Sequence, residues 1–413
     1  MQNNSSVLKR NNEIEVLRAI KSNPGISRPE VAKATGLTNV TVNSLMQEML
    51  INNLIVEEGL ADSSGGRKAQ KYSFNRNAFS VIGVNLRIGA GTVGISDLEG
   101  NELEPELPFP LDDSHGVEET LKNVADSINR ALECEWNAHR DSVLGIGVSA
   151  CGMINSRTGI IRSIPNLSLW KNVPVKSYLE EMTGIPVTVD KDTNSAVTYL
   201  KWKNNTNPNG DMLFISVDEG VGSGAYINGS VFHGVNETSG EIGHITIDND
   251  GPECGCGNHG CIELYTAHGA IIRNYLERLE SRGVETKEKR KILGNHQQEN
   301  SLILEMASEA KFGDEDADAS FKDALKYIET LLVNSINIYG VPEIILECPW
   351  MRVEESYFNE MLANVYRRMN YIGRTDIRIV LNQDENVFKK APYILVANRI
   401  FEINEVQNKL SGD

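Results

Sequence analysis

Apolar residues recur at helical spacing near the start of the chain, with Leu8, Ile14, Leu17 and Ile20 inside residues 7–22, which predicts an amphipathic helix. "NPG" ends it. Ser27 and Glu30 then stand three apart with Pro29 between them, a capping-box start for a short helix through Ala34. "TGLT" turns the chain again, and Thr38 is placed to cap a third helix reaching about Leu50. On that helix Val42, Leu45, Met46 and Met49 share one apolar stripe, while Asn39, Thr41, Asn43, Ser44 and Gln47 lie off it. "LIVEEG" and "QKYSF" follow as two strands around the turn "ADSSGGRKA".

From residue 81 the pattern changes to strands alternating with helices. "SVIGVNLRIGAGTVGISDLEGNEL" reads as two strands joined by a turn, with a third beginning after "LEGN". Residues 117–137 carry a helical stripe, and "SVLGIGVSACG" is a buried strand ending in a loop. "VKSYLEEMTG", "IPVTVDKD" and "TNSAVTYLKW" read as helix, strand and helix, and "DMLFISVDEGVGSGAYINGSVFHG" is a second glycine-turned strand pair. The alternation predicts an α/β body with covered sheets. Two glycine-rich turns about 130 residues apart predict two similar lobes with a cleft between them. The polar segment 281–300 is expected to be a solvated loop.

Helix order and hairpin together give the head, residues 1–80, the pattern of a winged helix-turn-helix. Its third helix offers Thr38, Asn39, Thr41, Asn43 and Ser44 as short polar groups able to reach base edges. Arg67 and Lys68 sit near the hairpin tip, where an arginine suits a narrow minor groove. Three helices and a hairpin also occur in protein-interaction modules, and charge separates the two readings. Residues 1–80 hold ten Lys/Arg against seven Asp/Glu, a balance of +3, so the net −17 of the chain leaves −20 on the rest. A basic head on an acidic body points to a polyanion met by the head alone.

At 413 residues, 40% hydrophobic and 23% charged, the chain has the composition of a soluble globular protein of two or three domains. No run approaches the ~20 apolar residues of a membrane span, and the opening "MQNNSSVLKRNNEIEV" lacks the apolar core of a signal peptide, so a cytoplasmic location without membrane contact is expected. Six cysteines, three of them within residues 254–261, fit a metal in a reducing compartment better than a disulfide framework. Cys254, Cys256 and Cys261 with His244 make a Cys3His set, a composition of structural zinc. His259 is a competing ligand, and three buried thiols without metal are the alternative.

Three loops put polar groups at strand ends, where open α/β sheets present ligand sites. They are "SIPNLSLWKN" with Asn166 and Trp170, "VDKDTN" with Asp190 and Asp192, and "GEIGHI" with Glu241 and His244. Carboxylates, an amide and an aromatic plate suit a sugar. Against this, Asp192 could simply cap the next helix and Trp170 could be core.

"GEIGH" followed by "CGCGNHGCIE" resembles the signature of the ROK family, which groups bacterial sugar kinases with sugar-responsive transcriptional repressors. The resemblance runs through "SIPNLSLWKNVPV", "DKDTNSA" and the second glycine turn, nearly all of 81–413, and the head with its "GGRK" tip resembles the repressor branch. It implies an actin-like, two-lobed (ribonuclease H-like) α/β body behind the winged helix, and a homodimer or homotetramer. The first lobe is expected at 81–190, completed by the C-terminal helix 385–410. The second is expected at 191–384, with the zinc loop and oligomer contacts. Residue by residue, the resemblance assigns His244, Cys254, Cys256 and Cys261 to one structural zinc, and Asn166, Asp192, Glu241, His244 and Glu263 to a sugar. Asp192 matches the catalytic base of the kinases.

The chain departs from the kinases in the first glycine turn. "NLRIGAGTV" puts Asn85 where they carry an aspartate and Arg87-Ile88 where their glycines begin, which removes a magnesium partner and close backbone approach to phosphate. The second turn, "EGVGSG", is intact, its glycines expected to serve a backbone bend. Lys191 replaces an asparagine that contacts sugar in the kinases. The sequence therefore reads as a sugar-responsive repressor of carbohydrate-use genes that binds operator DNA and is not an enzyme. The alternative is an ATP-dependent sugar kinase carrying a DNA-binding head.

Overall fold

The computed structural model describes residues 4–60, 69–135, 142–203, 210–370, 373 and 376–401. The head comprises α1 (Asn4–Ser22), β1 (Ile26–Ser27), α2 (Arg28–Thr35), α3 (Asn39–Ile51), β2 (Ile55–Leu60) and β3 (Gln70–Phe74). Its small sheet has the order β1-β3-β2. The Glu30 carboxylate accepts from the Ser27 backbone N–H at 2.9 Å, as the capping-box spacing predicts. Thr38 caps α3 by accepting from the Thr41 N–H at 3.2 Å. Val42, Leu45, Met46 and Met49 are all buried, so the apolar stripe closes the three-helix core.

Two five-stranded sheets build the body. The first uses β4 (Ser80–Leu86), β5 (Gly91–Ser96), β6 (Glu102–Phe109), β7 (Val143–Ala150) and β11 (Val187–Lys191), in the order β11-β7-β4-β5-β6. Helix α4 (Val117–Arg130) precedes β7. It continues as a π-helical stretch over Ala131–Glu135, the last described residues of the stripe expected over 117–137. A hairpin sheet of β8 (Met153–Asn155), β9 (Ile160–Ile164) and β10 (Leu167–Val173) and helix α5 (Val175–Thr183) lead to β11, which feeds α6 (Asp192–Lys203).

The second sheet uses β12 (Met212–Val217), β13 (Val221–Ile227), β14 (Ser230–Val231), β15 (Glu343–Glu347) and β16 (Arg378–Leu381), in the order β14-β13-β12-β15-β16. In each sheet two antiparallel pairs adjoin two parallel ones, so the second lobe repeats the topology of the first. Between β14 and β15 lie α7 (Glu263–Thr266), α8 (His268–Ser281), α9 (Lys287–Arg290), α10 (His296–Lys311) and the long α11 (Glu315–Tyr339). Helices α12 (Pro349–Val353) and α13 (Glu355–Asn370) precede β16, and α14 (Val387–Ala397) follows it. The polar segment 281–300 is not simply a loop. Glu280 collects Thr286 and both edges of Arg290, which holds α9 against the end of α8.

Helices α6 and α14 run between the sheets, and glycines set how closely they approach. A Cβ at Gly147 would lie 1.8 Å from the Pro392 carbonyl oxygen of α14, and one at Gly83 would strike the Tyr393 ring at 2.5 Å. A Cβ at Gly224 would lie 2.1 Å from the Thr193 carbonyl oxygen of α6. The glycines of the second turn were expected to serve a bend, but Gly220, Gly222 and Gly224 are absent from the positive-φ glycines. They make room for Glu263 and α6 instead.

Head and body share one core. Ile14, Leu17, Ile20, Met46 and Tyr72 cluster with Leu200 and Trp202 of α6 and with Ile394 and Ile400 at the end of α14. Lys21 donates from Nζ to the Trp202 carbonyl at 2.8 Å and lies 4.2 Å from its ring centre. Burial lowers the Lys21 pKa to about 8. No helix among the described residues is long and apolar enough to cross a membrane.

Candidate functional site

His244 closes a 3-10 turn over Ile242–His244, ten residues before Cys254. Bridges pair Thr246 with Cys261 and Glu253 with His259. Those bridges fold the glycine-rich loop back on itself. Ligand atoms of His244, Cys254, Cys256 and Cys261 consequently all lie within 4.8 Å of one another. Cys254 Sγ is 3.7 Å from His244 Nδ1, and Cys256 Sγ is 3.7 Å from Cys261 Sγ. A disulfide needs a separation near ~2.05 Å, whereas tetrahedral ligands at ~2.3 Å from one zinc stand ~3.8 Å apart. The donor set and its spacing therefore fit a tetrahedral metal. His259 is exposed and stays outside the cluster.

Of the residues assigned to a sugar, Asp192 and Glu241 are near enough to interact electrostatically, Glu241 and His244 bracket one 3-10 turn, and Glu263 opens α7. Asp192 opens α6, and its Oδ1 accepts from the Thr193 N–H at 2.6 Å, as a helix-start carboxylate does. Burial pushes its pKa up to about 6. Lys191 and the Thr193 N–H oppose the rise, and Glu241 adds to it. Glu241 pairs with Lys191 Nζ at 3.1 Å, while Lys191 also donates to the Ser239 carbonyl at 2.8 Å. Glu263, the first residue of α7, accepts from the Val221 N–H at 2.8 Å and so braces the start of β13. His244 turns Nδ1 to the thiols, which leaves Nε2 on the other edge of its ring.

Asn166 is set on another element. It occupies the β9–β10 turn at φ +61 and is exposed; among the described contacts none joins it to the other four residues. Trp170 is no plate for a sugar ring: it lies on β10 and is fully buried, because its hairpin position faces the core of the first lobe.

Two features of the cleft escape sequence reasoning. His233 Nε2 lies 2.8 Å from Asp190 Oδ2, bringing the segment after β14 onto the end of β11. Burial opposes its charge, yet Asp190 holds the His233 pKa above its ordinary value. The second feature is Arg87. From the β4–β5 turn its Nη2 reaches Glu219 Oε1 at 2.5 Å and Asp218 Oδ2 at 3.6 Å, so an ion pair spans the lobes between the two glycine turns. Asn300 donates to the same Glu219 oxygen at 2.6 Å, and His268 Nδ1 lies 3.2 Å from Asp218. Its departure from the kinase pattern marks Arg87 in the sequence. Nothing local identifies a partner 132 residues on.

On the head, Thr38, Asn39, Asn43 and Ser44 are exposed and Thr41 is half-buried. Asn39, Thr41, Asn43 and Ser44 lie off the buried stripe of α3, and Thr38 caps it. Arg67 and Lys68 fall outside the described residues.

Comparison with known proteins agrees with this geometry. The ROK family pattern matches residues 91–387, and a winged helix-turn-helix DNA-binding pattern matches residues 9–56. A xylose repressor of Caldicellulosiruptor bescii is 30% identical over 284 residues, covering 69% of this chain and 70% of that protein. A glucokinase of Halalkalibacterium halodurans is 35% identical over 192 residues, 46% of this chain and 58% of that one. A crystal structure of a ROK family transcriptional regulator, homolog of the E. coli MLC protein, superposes with a TM-score of 0.81 at 22% identity, covering 98% of this chain and 100% of that chain. That likeness establishes the fold from head to α14.

Proposed function

Because this chain belongs to the ROK family, on the match over residues 91–387, we propose that it is a sugar-responsive, DNA-binding transcriptional repressor of carbohydrate-use genes. The carrying observation is a winged helix whose polar α3 face is exposed and whose core is continuous with the ROK body. Asp192, Glu241, His244 and Glu263, with Asn166 brought in by closure, bind the sugar hydroxyls. Thr38, Asn39, Thr41, Asn43 and Ser44 meet base edges, and Arg67 and Lys68 meet the minor groove or backbone.

His244, Cys254, Cys256 and Cys261 hold one zinc. With four protein ligands and no open position, the metal fixes a loop and performs no chemistry. Zinc on Nδ1 also sets the His244 tautomer, so Nε2 presents a defined donor to the sugar.

The chain works as a cytoplasmic homodimer or homotetramer, with residues 1–80 as head, 81–190 as first lobe and 191–384 as second. Helix α6 runs from Asp192 in the cleft to Trp202 against the head, about 15 Å at 1.5 Å per residue. A sugar that prefers one lobe arrangement therefore moves the seat of the head and changes the spacing of paired heads on an operator.

The alternative, a sugar kinase with a DNA-binding head, has the glucokinase similarity in its favour. Arg87 and its carboxylate partners, standing between the two turns, favour a regulator that is not an enzyme. The test is selection of genomic DNA fragments bound by the full chain, repeated with a panel of sugars. Specific fragments whose retention changes with one sugar support the reading. Absence of specific DNA binding, or binding indifferent to every sugar, refutes it.

A further inference from the structure

Four cations, Lys191, Arg87, Arg352 and Lys389, each have a carboxylate partner. At one end Lys191 is held by Glu241 at 3.1 Å and by the Ser239 carbonyl. At the other, Arg87 is held by Glu219 at 2.5 Å and Asp218 at 3.6 Å, and Asp192 lies within its electrostatic reach. Beyond Arg87 the cleft opens into a cavity of about 280 Å³ lined by Asp218, Glu347, Arg352, Phe388 and Lys389 among others. There Arg352 pairs with Glu347 at 2.7 Å, and Lys389 with Glu102 at 2.6 Å. His233 lies on Asp190. The Thr193 amide in the first turn of α6, which could greet an anion, already donates to Asp192. Lys191, Arg87, Arg352 and Lys389 are thus each engaged by a carboxylate, and Asp192 and Glu263 stand beside them as further acidic groups.

Resting on the sugar-effector reading above, we propose that the effector is an uncharged sugar. Arg87 and Lys191 are the specificity-determining residues: pinned between carboxylates, they bind no anion and leave the cleft negative. A phosphate or carboxylate on the sugar would meet acidic groups at either end, without an unpaired cation to offset the repulsion. A hydroxyl at the same places meets acceptors for its proton.

The experiment is calorimetric titration of the full-length protein with D-xylose, D-glucose and N-acetyl-D-glucosamine, each beside its terminal phosphate ester and its sugar acid. For whichever sugar binds, the phosphate and acid should be weaker by about tenfold or more at low salt. Added salt should narrow the gap, since it screens repulsion. A charged form that binds as tightly as its neutral parent overturns the proposal and leaves the sugar-effector reading standing. If neither form of any sugar binds, that reading fails and takes the proposal with it. A second arm frees Arg87 with Asp218→Asn and Glu219→Gln, folding being checked by thermal melt. The ratio of phosphate to neutral affinity should rise about tenfold or more. An unchanged ratio in a folded variant removes Arg87 from the role.

Discussion

Asp192 shows how one residue can be read from its neighbours and still be retuned by its surroundings. Its place at a strand end before a helix is visible in "VDKDTN", but its pKa of about 6 comes chiefly from burial. The group is raised above its ordinary value, so it is ionised above about pH 6 and protonated below. If ionised Asp192 accepts a sugar hydroxyl, affinity should be level near pH 8 and fall about tenfold per pH unit well below pH 6, with Asp192→Asn flattening the profile in a titration series. The same raised pKa makes its contribution to folding stability greatest below its unfolded value, lost as pH rises through about 6. Zinc is also decided at this scale. Cys256→Ser should bring zinc well below one ion per chain by elemental analysis and abolish the sugar response, because Glu241 and His244 share one turn. A zinc-depleted variant with normal sugar affinity would separate the metal from the site.

At the scale of the element, α3 and the β2–β3 hairpin carry the DNA reading. Arg67→Ala should weaken binding to a specific fragment and reduce its salt slope by about one phosphate contact, with sugar binding intact; an unaltered slope discards the wing assignment. Helix α14 tests the packing. Gly147→Ala should cost about 1–3 kcal/mol in chemical denaturation, because its Cβ would fall 1.8 Å from the Pro392 carbonyl oxygen and backbone cannot step aside. A neutral result there would mean that α14 sits farther from β7. Periodicity foretold most of these elements, since the stripe of α3 and the apolar β7 depend on spacing alone. It misjudged the segment 281–300, where the ties to Glu280 prevail over local pattern.

Across the whole molecule, α6 and α14 pack between the sheets and against the head. Trp202 packs edge-on to Phe74 of the head, with ring centres 6.2 Å apart. Trp202→Ala should keep sugar affinity within about twofold while reducing the sugar-induced change in DNA affinity, because truncating a buried aromatic loosens a seam rather than the binding groups. Joint measurement by calorimetry and fluorescence anisotropy checks it. Incubation with ATP, magnesium and the sugar panel should give no phosphorylated product; turnover of any sugar would promote the kinase alternative.

The sequence by itself determined the order of parts: a winged helix read from caps and stripes, an α/β body read from alternation, and a Cys3His set read from composition and spacing. These are local properties, set by residues a few positions apart, so they survive without a fold. It also marked Arg87 and Lys191 as departures from the kinase pattern without saying what they do. Only the tertiary structure decided that Arg87 joins Glu219 across the lobes, that His233 meets Asp190, that Trp170 is core and Asn166 stands apart, and that α6 ties the cleft to the head. Each depends on which surfaces meet when two sheets and two helices close. Charge pairing and burial across such a closure arise from distances between segments remote in the chain, and no period or spacing along it encodes them.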